Sequence, residues 1–287
     1  MLRKSLLSVV LALAAAPVGA QINNPADKQR PSNQFIPTQG NAITVEGRSV
    51  SSLRDEDRIG PYQQPRWTAR RLFGETRIYV RPPGIAEFEF WLQPEVKDKH
   101  TETRKMYEFE FGLGYRTQLD LYIVSHKDGG EGSETFDEQK FEIRHALADW
   151  DAIWGNPTLY LEWSSKSDAP DAIEGKLLLG GEITTGWHWG TNFVFEHEMG
   201  GMQENVWEIT AGVSKTLVDE RFAFGIEAKG ALIDDKTTRG HYTDELLIGP
   251  TLQFRPVPQA HIDLAILPGL TKDSPDLKVT LIFGWMF

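Results

Sequence analysis

From residue 85 to the C-terminus, apolar and polar positions alternate with a period of two, segment after segment. The final stretch is the clearest. Leu277, Val279, Leu281, Phe283, Trp285 and Phe287 occupy every second position, with Lys278, Thr280 and Gly284 between them and Ile282 and Met286 as exceptions. In a β-strand successive side chains point to opposite faces, so this spacing places six apolar groups on one face. The same pattern runs through Phe88, Phe90 and Leu92, through Tyr107, Phe109, Phe111, Leu113 and Tyr115, through Phe222, Phe224, Ile226 and Leu232, and through Ile262, Leu264 and Ile266. It predicts twelve strands at 85–96, 105–116, 117–126, 139–148, 157–165, 173–184, 186–197, 205–217, 221–233, 244–255, 258–267 and 276–287.

The connections between these strands alternate in length. Those at 97–104, 127–138, 166–172, 198–204, 234–243 and 268–275 are longer and polar. The others are tight, as at Arg116-Thr117, Thr185, Val218-Asp219-Glu220 and Pro256-Val257, except for 149–156 with its Trp150 and Trp154. Strand lengths near ten suit a tilted membrane crossing of roughly 9–11 residues, and an even number of strands with short turns on one side and longer loops on the other describes a transmembrane β-barrel. The even count puts Phe287 and the N-terminal leader on the periplasmic side.

The face opposite the apolar one is charged. The first two strands contribute Glu87, Glu89, Glu108 and Glu110, and the next three add Asp120, Glu142, Arg144 and Glu162. Glu174, Lys176, Glu182, Glu196 and Glu208 follow, and then Glu227, Lys229, Glu245, Asp263 and Lys278. A charge facing lipid costs roughly 2–4 kcal/mol near the midplane, so this face is expected to line the lumen. The set holds 14 acids and 4 bases. Wall pairing alone cannot neutralise it, so a wet, cation-favouring lumen is expected unless the leader or Ca²⁺ enters. Closing the last strand on the first is expected to bring Lys278 near Glu87 or Glu89. Tyr107, Tyr115, Trp163, Trp187, Trp189, Trp207 and Trp285 are candidates for the interfacial aromatic girdle.

The termini set the compartment. Arg3 and Lys4 precede the apolar run Leu6 to Ala16 and the exit Pro17-Val18-Gly19-Ala20, a signal-peptide pattern with cleavage expected after Ala20. Beyond it no apolar run reaches the roughly 18 residues a spanning helix needs. Mean hydropathy is −0.37, which a barrel accommodates because only alternate residues meet lipid. A terminal Phe on an alternating strand is the ending that outer-membrane barrels present to the assembly machinery, and Phe287 is the expected assembly signal.

Residues 21–81 carry ten Lys/Arg against six Asp/Glu, whereas 82–287 carry 18 against 35, net −17. That acidic body argues against a nucleic-acid partner. The expected organisation is a signal peptide at 1–20, an irregular polar leader at 21–81 and an all-β barrel at 82–287. Within the leader only 42–46 and 76–80 are strand-like. It is either a solvated periplasmic segment or partly inserted in the barrel mouth, with Arg66, Arg70, Arg71 and Arg77 meeting acidic lumen residues.

The stretch Gly112-Leu113-Gly114-Tyr115-Arg116-Thr117-Gln118-Leu119-Asp120-Leu121, with Phe141-Glu142-Ile143-Arg144-His145-Ala146-Leu147 and Asn156-Pro157-Thr158-Leu159-Tyr160-Leu161-Glu162, resembles the outer-membrane transporter family named after the meta-pathway of phenol degradation. The resemblance spans about residues 85–287 as a pattern of hairpins. It implies a barrel of the twelve-strand type and uptake of small organic compounds, with no catalytic motif to carry over.

Enzyme readings find little support. No His among His100, His126, His145, His188, His197, His241 and His261 sits two residues before a Ser. His241 with Asp234, Asp235 and Asp244 is the nearest approach to a protease-like cluster. His197 and its neighbours Glu196 and Glu198 point apart on a strand and form no metal set. No catalytic residue, metal or cofactor is expected. The expected function is a small-solute channel in the outer membrane, in contact with lipid and built by the assembly machinery. A structural barrel without transport and a secreted soluble β-protein remain as alternatives.

Overall fold

The computed structural model describes residues 53–129 and 132–287; the signal-peptide expectation at 1–20 and the strand-like piece at 42–46 lie outside them. Two short strands come first, β1 (Arg58–Ile59) and β2 (Gln64–Pro65), between 3-10 turns at Arg54–Glu56 and Arg66–Ala69. The remaining strands are β3 (Ala86–Lys97), β4 (His100–Gly114), β5 (Thr117–Asp128), β6 (Glu134–Ala146), β7 (Thr158–Lys166) and β8 (Ala172–Thr184). Then follow β9 (Trp187–Glu198), β10 (Asn205–Val218), β11 (Phe222–Asp234), β12 (Thr243–Val257), β13 (Ala260–Pro268) and β14 (Leu277–Met286).

Strands β3 to β14 pair in sequence order, all antiparallel, and β14 returns to β3 to close a twelve-stranded barrel. Closure sets Leu281 against Leu92, Phe283 against Phe90 and Trp285 against Phe88. The Phe287 amide donates to the Ala86 carbonyl at 2.9 Å, extending the ladder to the last residue. A closed sheet leaves no unpaired edge, which a spanning β structure requires because lipid cannot satisfy backbone polar groups.

The alternating pattern sorts side chains as the pleat demands. Phe109, Phe141, Leu161, Phe193, Trp207, Phe224 and Phe283 point outward and are exposed. Aromatics stack across neighbouring strands on this outer face, for example Phe141 on Trp163 at 5.7 Å between ring centroids. The exception Ile282 points inward and is fully buried with Trp91, Met106, Tyr122 and Val124, an apolar cluster inside the barrel wall. It breaks the sequence pattern because the lumen at that level is packed rather than wet.

Two connections differ from expectation. The stretch 97–104 is no loop: β3 and β4 run on to a tight turn at Asp98-Lys99, both with positive φ, 50° and 65°. The polar run His100-Thr-Glu-Thr-Arg-Lys105 pairs with Leu92–Lys97, because the backbone ladder forms whatever the hydropathy of side chains that stand in water. For the same reason the expected loop 127–138 shrinks to 129–133.

Candidate functional site

Residues 53–85 form a plug segment whose ends lie at the barrel mouth and whose middle, from Tyr62 to Arg81, packs against the inner face of the wall. The chain enters at the mouth where β3 begins and β14 ends. There Asp219, in the β10–β11 turn, accepts from the amides of Arg54 and Asp55 at 2.8 and 3.1 Å. Asp55 accepts from Arg255 of β12 at 2.8 Å. The plug runs to Gly74–Thr76 and then returns past Asn192 of β9 and Gln118 of β5 to the start of β3.

The apex is held by one wall carboxylate. Glu227 accepts from the amides of Gly74, Glu75 and Thr76 at 2.9, 3.0 and 2.7 Å. Such charge-assisted bonds are roughly twice as strong as neutral ones. Beside it, Glu75 accepts from Lys278 at 2.9 Å and from the Thr280 hydroxyl at 2.6 Å. Burial works to raise the Glu75 carboxyl, but Lys278 and Lys229 outweigh it and hold it at about 2, below its ordinary 4.5. Below the apex, Asn192 accepts from the Arg77 amide and donates to the Arg77 carbonyl, at 2.8 and 2.6 Å. An irregular segment can be buried because its backbone groups find partners of this kind.

Charge is matched between plug and wall. Arg77 donates to both oxygens of Glu108 at 2.7 and 3.0 Å and lies 3.1 Å from Glu110. Glu108 also accepts from Trp91 at 2.9 Å and Tyr122 at 2.7 Å. Arg81 pairs with Glu87 and Glu110, and Arg71 with Glu89 at 3.1 Å. The Arg71 guanidinium also stands 4.1 Å from the Trp91 ring centre, over its face. Arg70 meets Asp55 of the plug itself at 3.6 Å, and Arg66 lies near Glu220 in the β10–β11 turn at 3.7 Å.

Apolar packing completes the fit. Trp67, Leu72, Phe73, Ile78, Tyr79 and Val80 form one buried cluster with Trp150. Trp150 comes from the long 147–157 connection, which folds under the plug and meets Trp67 edge-on at 5.5 Å. The wall is bare where the plug is bulky: a Cβ at Gly212 would come 2.5 Å from two Phe73 ring carbons, and one at Gly180 2.4 Å from Ile78 Cγ2.

The charged residues singled out from the sequence fall into several groups. Glu87, Glu89, Glu108 and Glu110 meet the plug arginines, while Asp120 and Glu142 share Arg144 on the wall. Asp263 pairs with His261, which also reaches Glu87 at 2.7 Å. Glu162 pairs with Lys140, Glu174 with Lys176 at 2.8 Å and Glu208 with Lys229 at 2.7 Å. Glu182 accepts from the plug's Trp67 indole at 3.1 Å. Glu245 is half-buried near the loop end of β12. Glu196 lines a cavity of about 430 Å³ at the loop end of the barrel, with Arg104, Lys140, Lys166, Glu138 and Asp168.

Lys278 does not approach Glu87 or Glu89. Antiparallel register sets it opposite Glu95 near the loop end, while Glu87 and Glu89 stand opposite Met286 and Gly284 near the other end. Its partner is Glu75 of the plug. The Asp234–His241 cluster is likewise no catalytic set: Asp234 binds Arg239, Gly240 and Asn205, and Asp235 caps Thr237 and Thr238. Arg81, Glu75, Asp55 and Arg255 were not singled out from the sequence, because a lone charge in an irregular segment, or a single Arg near a strand end, carries no periodic signal.

No family model matches this sequence, and no curated protein matches it. Solved structures do. An outer-membrane channel from Pseudomonas putida F1 superposes with a TM-score of 0.53 at 10% identity, over 76% of this chain and 100% of that one. The NanC porin gives 0.49 at 12% identity over 70% and 98%, and the KdgM porin 0.48 at 8% over 70% and 99%. At this identity the likeness is one of fold, that of an outer-membrane barrel.

Proposed function

We propose that the chain is an outer-membrane channel for small solutes whose path is closed by its own residues 53–85. The observation that carries this is the plug. A lumen wide enough to hold a folded segment is wide enough for a solute once that segment moves, and the plug is held to the wall by ion pairs, hydrogen bonds and side-chain packing. The charged vestibule of about 430 Å³ gives a solute a place to wait above it. In the closed state Arg71, Arg77 and Arg81 neutralise wall carboxylates. Displacing them would uncover acids facing the path, and such a wall favours cations. The resemblance of residues 112–121, 141–147 and 156–162 to the meta-pathway transporter family supports small organic compounds as the solutes, and organic cations suit the wall best.

The test uses the cysteine-free background. A Cβ at Gly180 would lie 2.4 Å from Ile78 Cγ2, one bond from Ile78 Cβ, which matches the roughly 3.5–4.5 Å Cβ spacing of a disulfide. The double variant Ile78→Cys/Gly180→Cys should be silent in planar bilayers when oxidised and conduct with cation preference when reduced. Equal conductance in both states would refute plug gating. Silence in both, with the unsubstituted protein silent too, would favour a structural barrel. Anion preference would refute the acidic-path reading.

A further inference from the structure

We propose that Glu56, Glu182 and His188 form a site for one divalent transition-metal ion of the Zn²⁺ class, clamping the plug to the wall at the plug's entry. Glu182 and His188 are direct cross-strand partners on the inner face of β8 and β9, either side of the Thr185-Gly186 turn. Glu56 comes from the plug's first 3-10 turn. One ligand atom from each of the three lies within 4.8 Å of the others.

His188 is the observation that points to a ligand. It is fully buried, yet neither ring nitrogen has a hydrogen-bond partner. A buried imidazole with two orphaned nitrogens costs stability unless something binds it. The Trp67 ring packs on it at 4.4 Å between centroids and fixes its plane.

The carboxylates are oriented from behind. Glu56 Oε1 accepts from the Gly186 amide, and Glu182 Oε1 accepts from the Trp67 indole. Outer partners of this kind hold metal ligands in place. Nearby cations are engaged elsewhere: Arg255 binds Asp55 at 2.8 Å and Lys215 binds the Thr185 carbonyl at 2.9 Å. Arg58 lies 3.5 Å from Glu182 and 2.8 Å from Asp151. It can swing to Asp151 when an ion binds. One imidazole and two carboxylates leave a fourth tetrahedral position for water, a donor set that suits Zn²⁺ and Co²⁺ better than Ca²⁺ or Mg²⁺.

The clamp rests on the plug reading, but the site can be tested without conductance. The full-length protein in detergent, stripped with chelator, is titrated with Co²⁺ and followed by visible absorption and metal analysis. One Co²⁺ per chain should bind, Zn²⁺ should displace it, and Glu56→Gln and His188→Gln should each weaken binding by at least ~10-fold, since even outer partners contribute ~10–100-fold. Exposed histidines elsewhere would bind in both variants alike. No saturable binding, or saturable binding that both variants retain, overturns the site. If His188→Gln fails to fold, Glu56→Gln decides, because residue 56 lies outside the barrel strands.

Discussion

Phe73→Ala should release the plug while leaving the barrel intact. Phe73 is 0% exposed, and its ring rests on the bare wall at Gly212 and within 3.4 Å of where a Gly190 Cβ would stand. Truncating a buried Phe costs about 3–5 kcal/mol, the larger values arising where the site cannot collapse. Here the facing wall is a closed hydrogen-bonded sheet that cannot move inward, so the upper part of that range applies. Phe73 itself belongs to no strand of the barrel ladder, so the loss should fall on plug docking. At about 1.4 kcal/mol per tenfold, even 3 kcal/mol raises the undocked fraction roughly 100-fold. A single Thr76→Cys probe, at a position 2% exposed, reports that fraction as a thiol-labelling rate. The same variant in planar bilayers should spend longer conducting. Gly212→Val, which forces a side chain into the Phe73 ring, should also speed labelling alone but slow it when combined with Phe73→Ala, because the void accepts the new methyls. Labelling within about threefold of the parent, or simple addition of the two effects, would refute this account of the packing.

Other outcomes follow from the same contacts. Arg77→Met should destabilise docking by about 3–5 kcal/mol, because Glu108 and Glu110 lose a buried partner; Arg77→Met with Glu108→Gln should recover part of it in the same labelling assay. Acid should loosen the apex: the folded Glu75 value lies below the ordinary one, so its contribution is complete above about 4.5 and is lost as pH falls toward about 2. Lys278→Met should move the onset of that release to higher pH. Phe287→Ala should lower the yield of assembled barrel in cells, read as heat-modifiable migration on gels, while leaving the unfolding midpoint of assembled protein nearly unchanged, since the side chain is 79% exposed.

Much of the barrel was legible because its signal is periodic and local. Alternation at Leu277, Val279, Leu281 and Phe283 needs no knowledge of the partner strand, and twelve such segments imply closure. The turn at Asp98-Lys99 leaves no such signal, because polar strand ends outside the membrane lose the alternation while keeping the ladder. The lumen face could be listed from the same parity, but its pairings could not. Lys278 and Glu87 share a face yet sit at opposite ends of their strands, and only register separates them.

Local alternation suffices to define the twelve strands and which face of each is apolar, because two-residue periodicity is a property of neighbouring residues. What fills the barrel is set by contacts between residues distant in the chain. The arginines of residues 53–85, the glycines at 180 and 212, and the orphaned His188 beside Glu56 and Glu182 are far apart in the chain. Their meeting depends on closure and on an irregular segment folding back inside it, and neither leaves a repeating pattern to read.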